Sequence, residues 1–205
     1  MTIAIADPRV ESLAGDFDRQ LRGVHHLVLN TDDMKKTVDF YCGVLGMPLV
    51  GAIRVEEGVG TGPENRGNPP FENLRHYFFD MGNDSMLAFF EMPKGAKPQG
   101  DRDAIGVMQH VSFVVTPDVQ AALKERLIAH GIDVLGPVEV SPGSYSIYFY
   151  DPNDIRLEAS SGWGQRDNQQ VIAHRRQTKA SAAVELKTLT DDAAWIERAV
   201  TAFRD

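Results

Sequence analysis

The chain has 205 residues, of which 42% are hydrophobic and 24% charged, and its 29 acidic against 21 basic side chains leave a net charge of −8. That composition can bury a core as one domain or as two small repeated modules, and its acidity disfavours a nonspecific grip on nucleic acid, which needs a basic field. Cys42 is the single cysteine, so an intrachain disulfide and any multi-thiolate zinc or iron–sulfur site are excluded. A bound metal would have to be held by His and carboxylate. No apolar run approaches the roughly 18–20 residues of a membrane span. The first twenty residues lack a basic stretch followed by an apolar core, so no signal peptide is expected and the cytoplasm is the default location.

In chain order, 1–22 reads as an N-terminal extension. Residues 24–31, VHHLVLNT, alternate like a half-buried strand. Asp32 or Asp33 can cap a following helix whose apolar face is Met34, Val38, Tyr41 and Leu45, ended by Gly46. Strand-like runs follow at 48–55, 75–81 and 86–92, the last two joined by a Gly82-Asn83-Asp84 turn. Between the first and second of these runs, 56–73 reads as a long loop, a lid candidate. Its alternating glycines have no helix after them to complete a phosphate cradle.

The second half repeats the order. Residues 108–116 read as a strand, and Pro117 opens a helix with Val119, Ala122, Leu123 and Leu127 on its apolar face. His130-Gly131 ends that helix, and strands follow at about 132–140, 145–150 and 154–160. The turn before the last of them is Asp151-Pro152-Asn153-Asp154. The expected fold is therefore α+β: two βαβββ modules, about 24–93 and 108–160, paired in a domain over 23–162 so that each covers the other's open side. The tail, 163–205, is expected to be helical, with Thr190 or Asp191 capping a last helix and Trp195, Ile196, Val200 and Phe203 on its apolar side.

Each module opens with a histidine at the start of its first strand, His26 and His110, at a similar distance before an acidic helix start. Glu158 lies in the last strand of the second module. Two imidazoles and one carboxylate at repeat-matched positions make a facial triad for a divalent metal, provided that pairing of the modules brings them together. His25 neighbours His26 and, on a regular strand, would face the opposite way, as a structural residue.

These motifs carry a family resemblance. HHLVLNTDDMKKTVDFYCGVLGM, QHVSFVV and IYFYDPNDIRLEAS resemble the vicinal oxygen chelate superfamily, which includes glyoxalase I, extradiol ring-cleaving dioxygenases, fosfomycin-resistance thiol transferases and bleomycin-resistance proteins. The resemblance implies paired βαβββ modules in a curved mixed sheet, with a metal in its cup held by His26, His110 and Glu158. Fe(II) is favoured, with Mn, Ni, Co or Zn as other choices, and a homodimer is expected by analogy.

Glyoxalase I–like members use a fourth ligand on the last strand of the first module, where Glu91 is the candidate and the mobile base. Counted from the turn, however, the position matching Glu158 is Ala88, and Glu91 is an odd three residues further on, so only a bulge would return it to the same face. IYFYDPND resembles the extradiol signature, in which Tyr148 would hydrogen-bond the metal-bound substrate oxygen. Asp154 departs from that pattern, no histidine lies in 137–147, and Ser85 stands where the acid/base histidine is expected. His76 is the alternative base. Phe78, Phe90, Phe113 and Tyr150 suit an aromatic substrate.

The leading expectation is an extradiol-type dioxygenase acting on a small molecule with vicinal oxygens, such as an aromatic diol. A glyoxalase-like lyase or isomerase working through a metal-bound enediolate is the second. A non-catalytic small-molecule binding or resistance protein is the third.

Overall fold

A computed structural model describes residues 23–58, 70–93, 96–97, 100–163 and 168–202. The N-terminal extension, most of the lid candidate and Phe203 lie outside the described residues. One compact unit is Gly23–Asn168, and the helices after Gln169 belong to a second.

The first module is built from β1 (His26–Thr31), α1 (Met34–Val38), β2 (Leu49–Arg54), β3 (Arg75–Gly82) and β4 (Ser85–Glu91). Asp33 caps α1 by accepting from Lys36 N. A π-helical turn, Asp39–Val44, continues α1. The extra residue in this turn rotates the helix surface, so Phe40 is buried beside the expected Tyr41. Gly46 then takes a φ of +74°, the left-handed position that releases the chain. In the β3–β4 hairpin, Asn83 and Asp84 both have positive φ, as a tight turn matched to strand twist requires.

The second module repeats this with β5 (Val111–Val114), α2 (Pro117–Ala129), β6 (Leu135–Ser141), β7 (Ser144–Tyr150) and β8 (Arg156–Ser161). Thr116 caps α2, and Pro117 sits in its first turn, where a missing N–H costs nothing. Gln120 is buried, and its amide donates to the carbonyls of Tyr145 and Ala159.

The strand orders are β1-β4-β3-β2 and β5-β8-β7-β6. In each sheet the first strand runs parallel to the last and lies at an edge. The α+β architecture is thus the one the repeat predicts.

One hydrophobic cluster serves both modules. Tyr41, Phe79, Leu87 and Phe89 from the first join Leu127, Ile147, Phe149 and Leu157 from the second. A polar latch joins the modules too. Thr31 Oγ1 donates to Asn153 Oδ1 at 2.8 Å, and Tyr41 Oη donates to Asp151 Oδ2 at 3.1 Å. Asp151 also accepts from the backbone N–H groups of Asn153 and Ile155. Burial raises its carboxyl above the ordinary range, against these hydrogen bonds. Arg126 of α2 adds two donations, to the carbonyls of Gly43 and Val44.

The described residues of the tail form three helices, α3 (Asn168–Arg175), α4 (Lys179–Leu186) and α5 (Ala193–Thr201). Asp192 caps α5, one residue beyond the expected Asp191, while Thr190 Oγ1 accepts from the Asp192 N–H. Ile196 and Ala199 of α5 and Ala182 of α4 are buried. Among the described residues no helix is long and apolar enough to cross a membrane.

Candidate metal site

Strand pairing orders the candidate residues on two faces. On a strand, every second side chain shares a face. In the second module Glu158 pairs with Ser112 on β5 and Tyr148 on β7. In the first, Ala88 pairs with Val28 on β1 and Phe78 on β3. Ser112 is two residues after His110, and Val28 is two after His26. The modules therefore superpose His26 on His110, Phe78 on Tyr148 and Ala88 on Glu158. His76 falls on Ser146.

The second module carries a built acid–imidazole pair. Glu158 is 7% exposed. Its Oε2 lies 2.9 Å from His110 Nε2, and its Oε1 accepts from Tyr148 Oη at 3.2 Å. The Arg156 guanidinium lies 4.6 Å over the Tyr148 ring. Burial and the neighbouring Glu158 carboxylate raise the Tyr148 phenol above its ordinary value, so it stays a donor at neutral pH. An imidazole nitrogen this close to a carboxylate oxygen needs a cation between them, a proton or a metal ion. A two-donor corner of this kind fits a divalent metal.

The first module contributes histidines without a carboxylate. The His26 ring centroid lies 6.2 Å from that of His76 and 5.9 Å from that of Phe78. His76 stacks on Phe90 at 3.9 Å and tilts against Phe78 at 4.2 Å, and Phe71 stacks on the far side of Phe90. Burial, then nearby His26, lowers the His76 pKa to about 4, which makes it neutral at physiological pH. Its Nε2 is buried without a hydrogen-bond partner.

The sequence fits module pairing either within one chain or by exchange between subunits, and within one chain the three donors do not converge. Among the described residues, no three His, Cys, Asp or Glu side chains come together as a metal site. The modules of one chain share a core through Leu87, Phe89, Leu157 and Ala159, which alternate with Ala88 and Glu158. Packing thus uses the sides of the sheets opposite the donors. His26 stays with the first module while His110 and Glu158 pair in the second.

Glu91 has another role. Strand β4 pairs with β1 without interruption from Met86 to Glu91, so no bulge returns Glu91 to the donor face. Its Oε1 accepts from Met34 N at 3.0 Å, and its Oε2 pairs with Arg75. Glu91 thus sits at the positive end of α1, as an anchor for that helix.

His25 departs from alternation as well. It stands in a bend before β1, and its Nδ1 lies 2.6 Å from His26 Nδ1. Gln109, which the motif reading passed over, holds the same place beside His110.

Of the four candidate aromatics, Phe78 and Phe90 lie on the His26 face. Tyr150 lies on the Glu158 face under the Arg102 guanidinium. Phe113 lies on the core side, where it lines an apolar cavity of about 480 Å³ with Leu45, Met47, Met81, Val119 and Leu123. That cavity holds none of the candidate ligands, so the chemistry belongs to the opposite faces.

The sequence profile of the Glyoxalase/Bleomycin resistance protein/Dioxygenase superfamily matches residues 23–159. The chain belongs to that superfamily. No curated protein matches it by sequence. Among solved structures, a glyoxylase/bleomycin resistance protein/dioxygenase domain from Frankia sp. EAN1pec is similar, with 21% identity and a TM-score of 0.54, over 69% of this chain and 98% of that one. A glyoxalase/dioxygenase from Nostoc punctiforme is similar at 20% identity and a TM-score of 0.52, over 79% and 99%. Fosfomycin resistance protein FosX from Listeria monocytogenes is similar at 17% identity and a TM-score of 0.51, over 75% and 98%. At these identities the likeness concerns the fold.

Proposed function

We propose that this superfamily member is a divalent-metal-dependent enzyme whose site forms between two copies of the chain, with His26 of one joining His110 and Glu158 of the other. The observation that carries the reading is the His110–Glu158 pair at 2.9 Å, together with its third donor stranded on the matched face of the first module. A second copy supplies what one chain lacks. Strands β1 and β5 are sheet edges, and Val28 and Val114 on their donor sides are exposed, so these edges are where a partner could dock.

Three protein donors leave up to three open positions, and Fe(II) held by them would supply Lewis-acid and redox chemistry to a substrate with vicinal oxygens. The chain's own residues favour extradiol-type oxygenation of a small aromatic diol. Tyr148 Oη, beside Glu158, orients a substrate oxygen. Phe71, Phe78 and Phe90 offer flat apolar walls that exclude water. His76 is held neutral beside His26, and its pKa of about 4 with a buried Nε2 makes it a weak proton acceptor. The four-ligand isomerase reading loses support, because Glu91 is tied to α1 and Ala88 holds the matching position.

The test is elemental mass spectrometry on protein purified without oxygen, followed by oxygen uptake with a panel of catechols. Iron near one per chain, absent from His26→Ala, together with uptake, supports the reading. Zinc, nickel or cobalt without uptake overturns the oxygenase part. Mixing His26→Ala with His110→Ala chains tests the shared site. A mixed dimer regains one of two sites when donors cross between copies, and none when each site lies within one chain.

A further inference from the structure

The face that carries Glu158 also carries two guanidinium groups. Arg156 stands two residues before Glu158 on β8 and so shares its face. Its guanidinium lies 4.6 Å over the Tyr148 ring, whose hydroxyl donates to Glu158. Arg102, in the connection between the modules, lies 4.8 Å over the Tyr150 ring and donates to the Tyr150 hydroxyl at 2.6 Å. Tyr150 and Arg156 pair across β7 and β8. Both arginines are half-buried, so their stems are packed and their heads stay within reach of a ligand. The chain has a net charge of −8, yet among the described residues neither guanidinium pairs with a carboxylate. Nor does the fold demand them. At the matched places the first module has Met86 and Asp80, paired in the same way, where the second has Arg156 and Tyr150.

We propose that Arg156 and Arg102 form a subsite for the carboxylate of an aromatic diol acid, and so determine which small molecule the Glu158 corner takes. This rests on the proposed reading of the site and deepens it by naming the substrate class. A guanidinium stacked over a ring is held in place by it and keeps N–H groups for an oxyanion, and the two oxygens of a carboxylate match that fork. Arg102 spends one N–H on Tyr150 and has others to give. Tyr148 touches Glu158 at its hydroxyl and Arg156 over its face, so the acid corner and the guanidinium are about one ring apart. A molecule with its diol at the corner and its carboxylate beyond the ring spans the same gap. A neutral diol leaves both cations unmatched. An acid gains charge-assisted hydrogen bonds, each commonly worth about 10–100-fold in binding.

The test is calorimetry without oxygen on the full chain loaded with Fe(II), titrated with catechol, the dihydroxybenzoates and the dihydroxyphenylacetates. At least one acid should bind about 10–100-fold more tightly than catechol, and the gap should narrow as salt rises. Arg156→Gln and Arg102→Gln should each cut that gap about tenfold. Arg156→Lys, which keeps the charge without the fork, should restore part of it. A second readout needs no metal. Benzoate and phenylacetate, which have no diol, should shift the ring resonances of Tyr148 and Tyr150 in the metal-free wild type and leave them in place in the double Gln variant. Acids that bind no more tightly than catechol, or a gap that survives both Gln substitutions, would overturn the proposal. Arginine-dependent binding of benzoate or phenylacetate to a chain that takes up no Fe(II) would instead overturn the metal reading and leave the carboxylate subsite standing. No Fe(II) uptake together with no response to the acids would overturn both.

Discussion

The two modules share a chain trace and differ in what they place at matched positions. Module two puts Glu158 and Tyr148 beside its histidine, whereas module one puts Ala88 and Phe78 there. The glutamate that module one does have, Glu91, is three residues further on and serves the other side of its sheet. A carboxylate in the right strand is thus not enough, because parity decides which side of the sheet it serves. One module carries an acid–imidazole pair, and the other carries His26 and an aromatic wall.

The largest expected effect breaks the equipped side. Glu158→Ala should weaken Mn(II) binding at least about a hundredfold, since a remaining histidine pair is a poor divalent site. Circular dichroism should show the fold retained. Unchanged binding would mean that module two does not carry the carboxylate ligand.

The latch comes next. Asp151 accepts from Tyr41, from the backbone N–H groups of Asn153 and Ile155, and from the Asn153 side chain. Asp151→Ala orphans these buried donors and should cost about 3 kcal/mol in urea unfolding. A loss below about 0.5 kcal/mol would show that the apolar contacts alone hold the modules together.

Glu91→Ala sharpens the comparison with Glu158. It removes the anchor of α1 and should cost about 1–2 kcal/mol, with Mn(II) binding unchanged. Lost metal with retained stability would return Glu91 to the donor face.

The last effect, seen only in acid, concerns His76, whose pKa falls from 6.5 to about 4 in the folded chain. A histidine held neutral by the fold stabilises it fully above the unfolded pKa. That contribution is lost as pH falls from about 6.5 to about 4. The thermal midpoint of the metal-free wild type should therefore drop across this window, and His76→Phe should flatten the drop. Equal slopes would show His76 to be hydrated.

Much of this was legible in the chain. The turn Gly82-Asn83-Asp84, the Pro117 helix start and the spacing that pointed to Ala88 rest on local rules, and the strands obey them. The side-chain register followed from counting by two, which is why Glu91 was already suspect. What stayed hidden depends on contacts between distant segments. Asp151 and Asn153 looked like part of a family motif, yet they also latch to Tyr41 and Thr31, some 110 and 122 residues away in sequence. Nothing local says that one chain packs its modules through the sides away from His26 and His110. His25 departs from strand alternation for a local reason, because it stands in the bend before β1 begins.

The stack of His76 on Phe90 has a use of its own. The rings lie 3.9 Å apart at an interplanar angle of 20°, so the phenyl ring current shields the imidazole protons. Their resonances should stand upfield of the other histidines, visible without isotope labels. Any molecule that lies against this wall adds to or subtracts from that shielding. The protein thus carries a built-in reporter of occupancy on the half of the site that has no carboxylate.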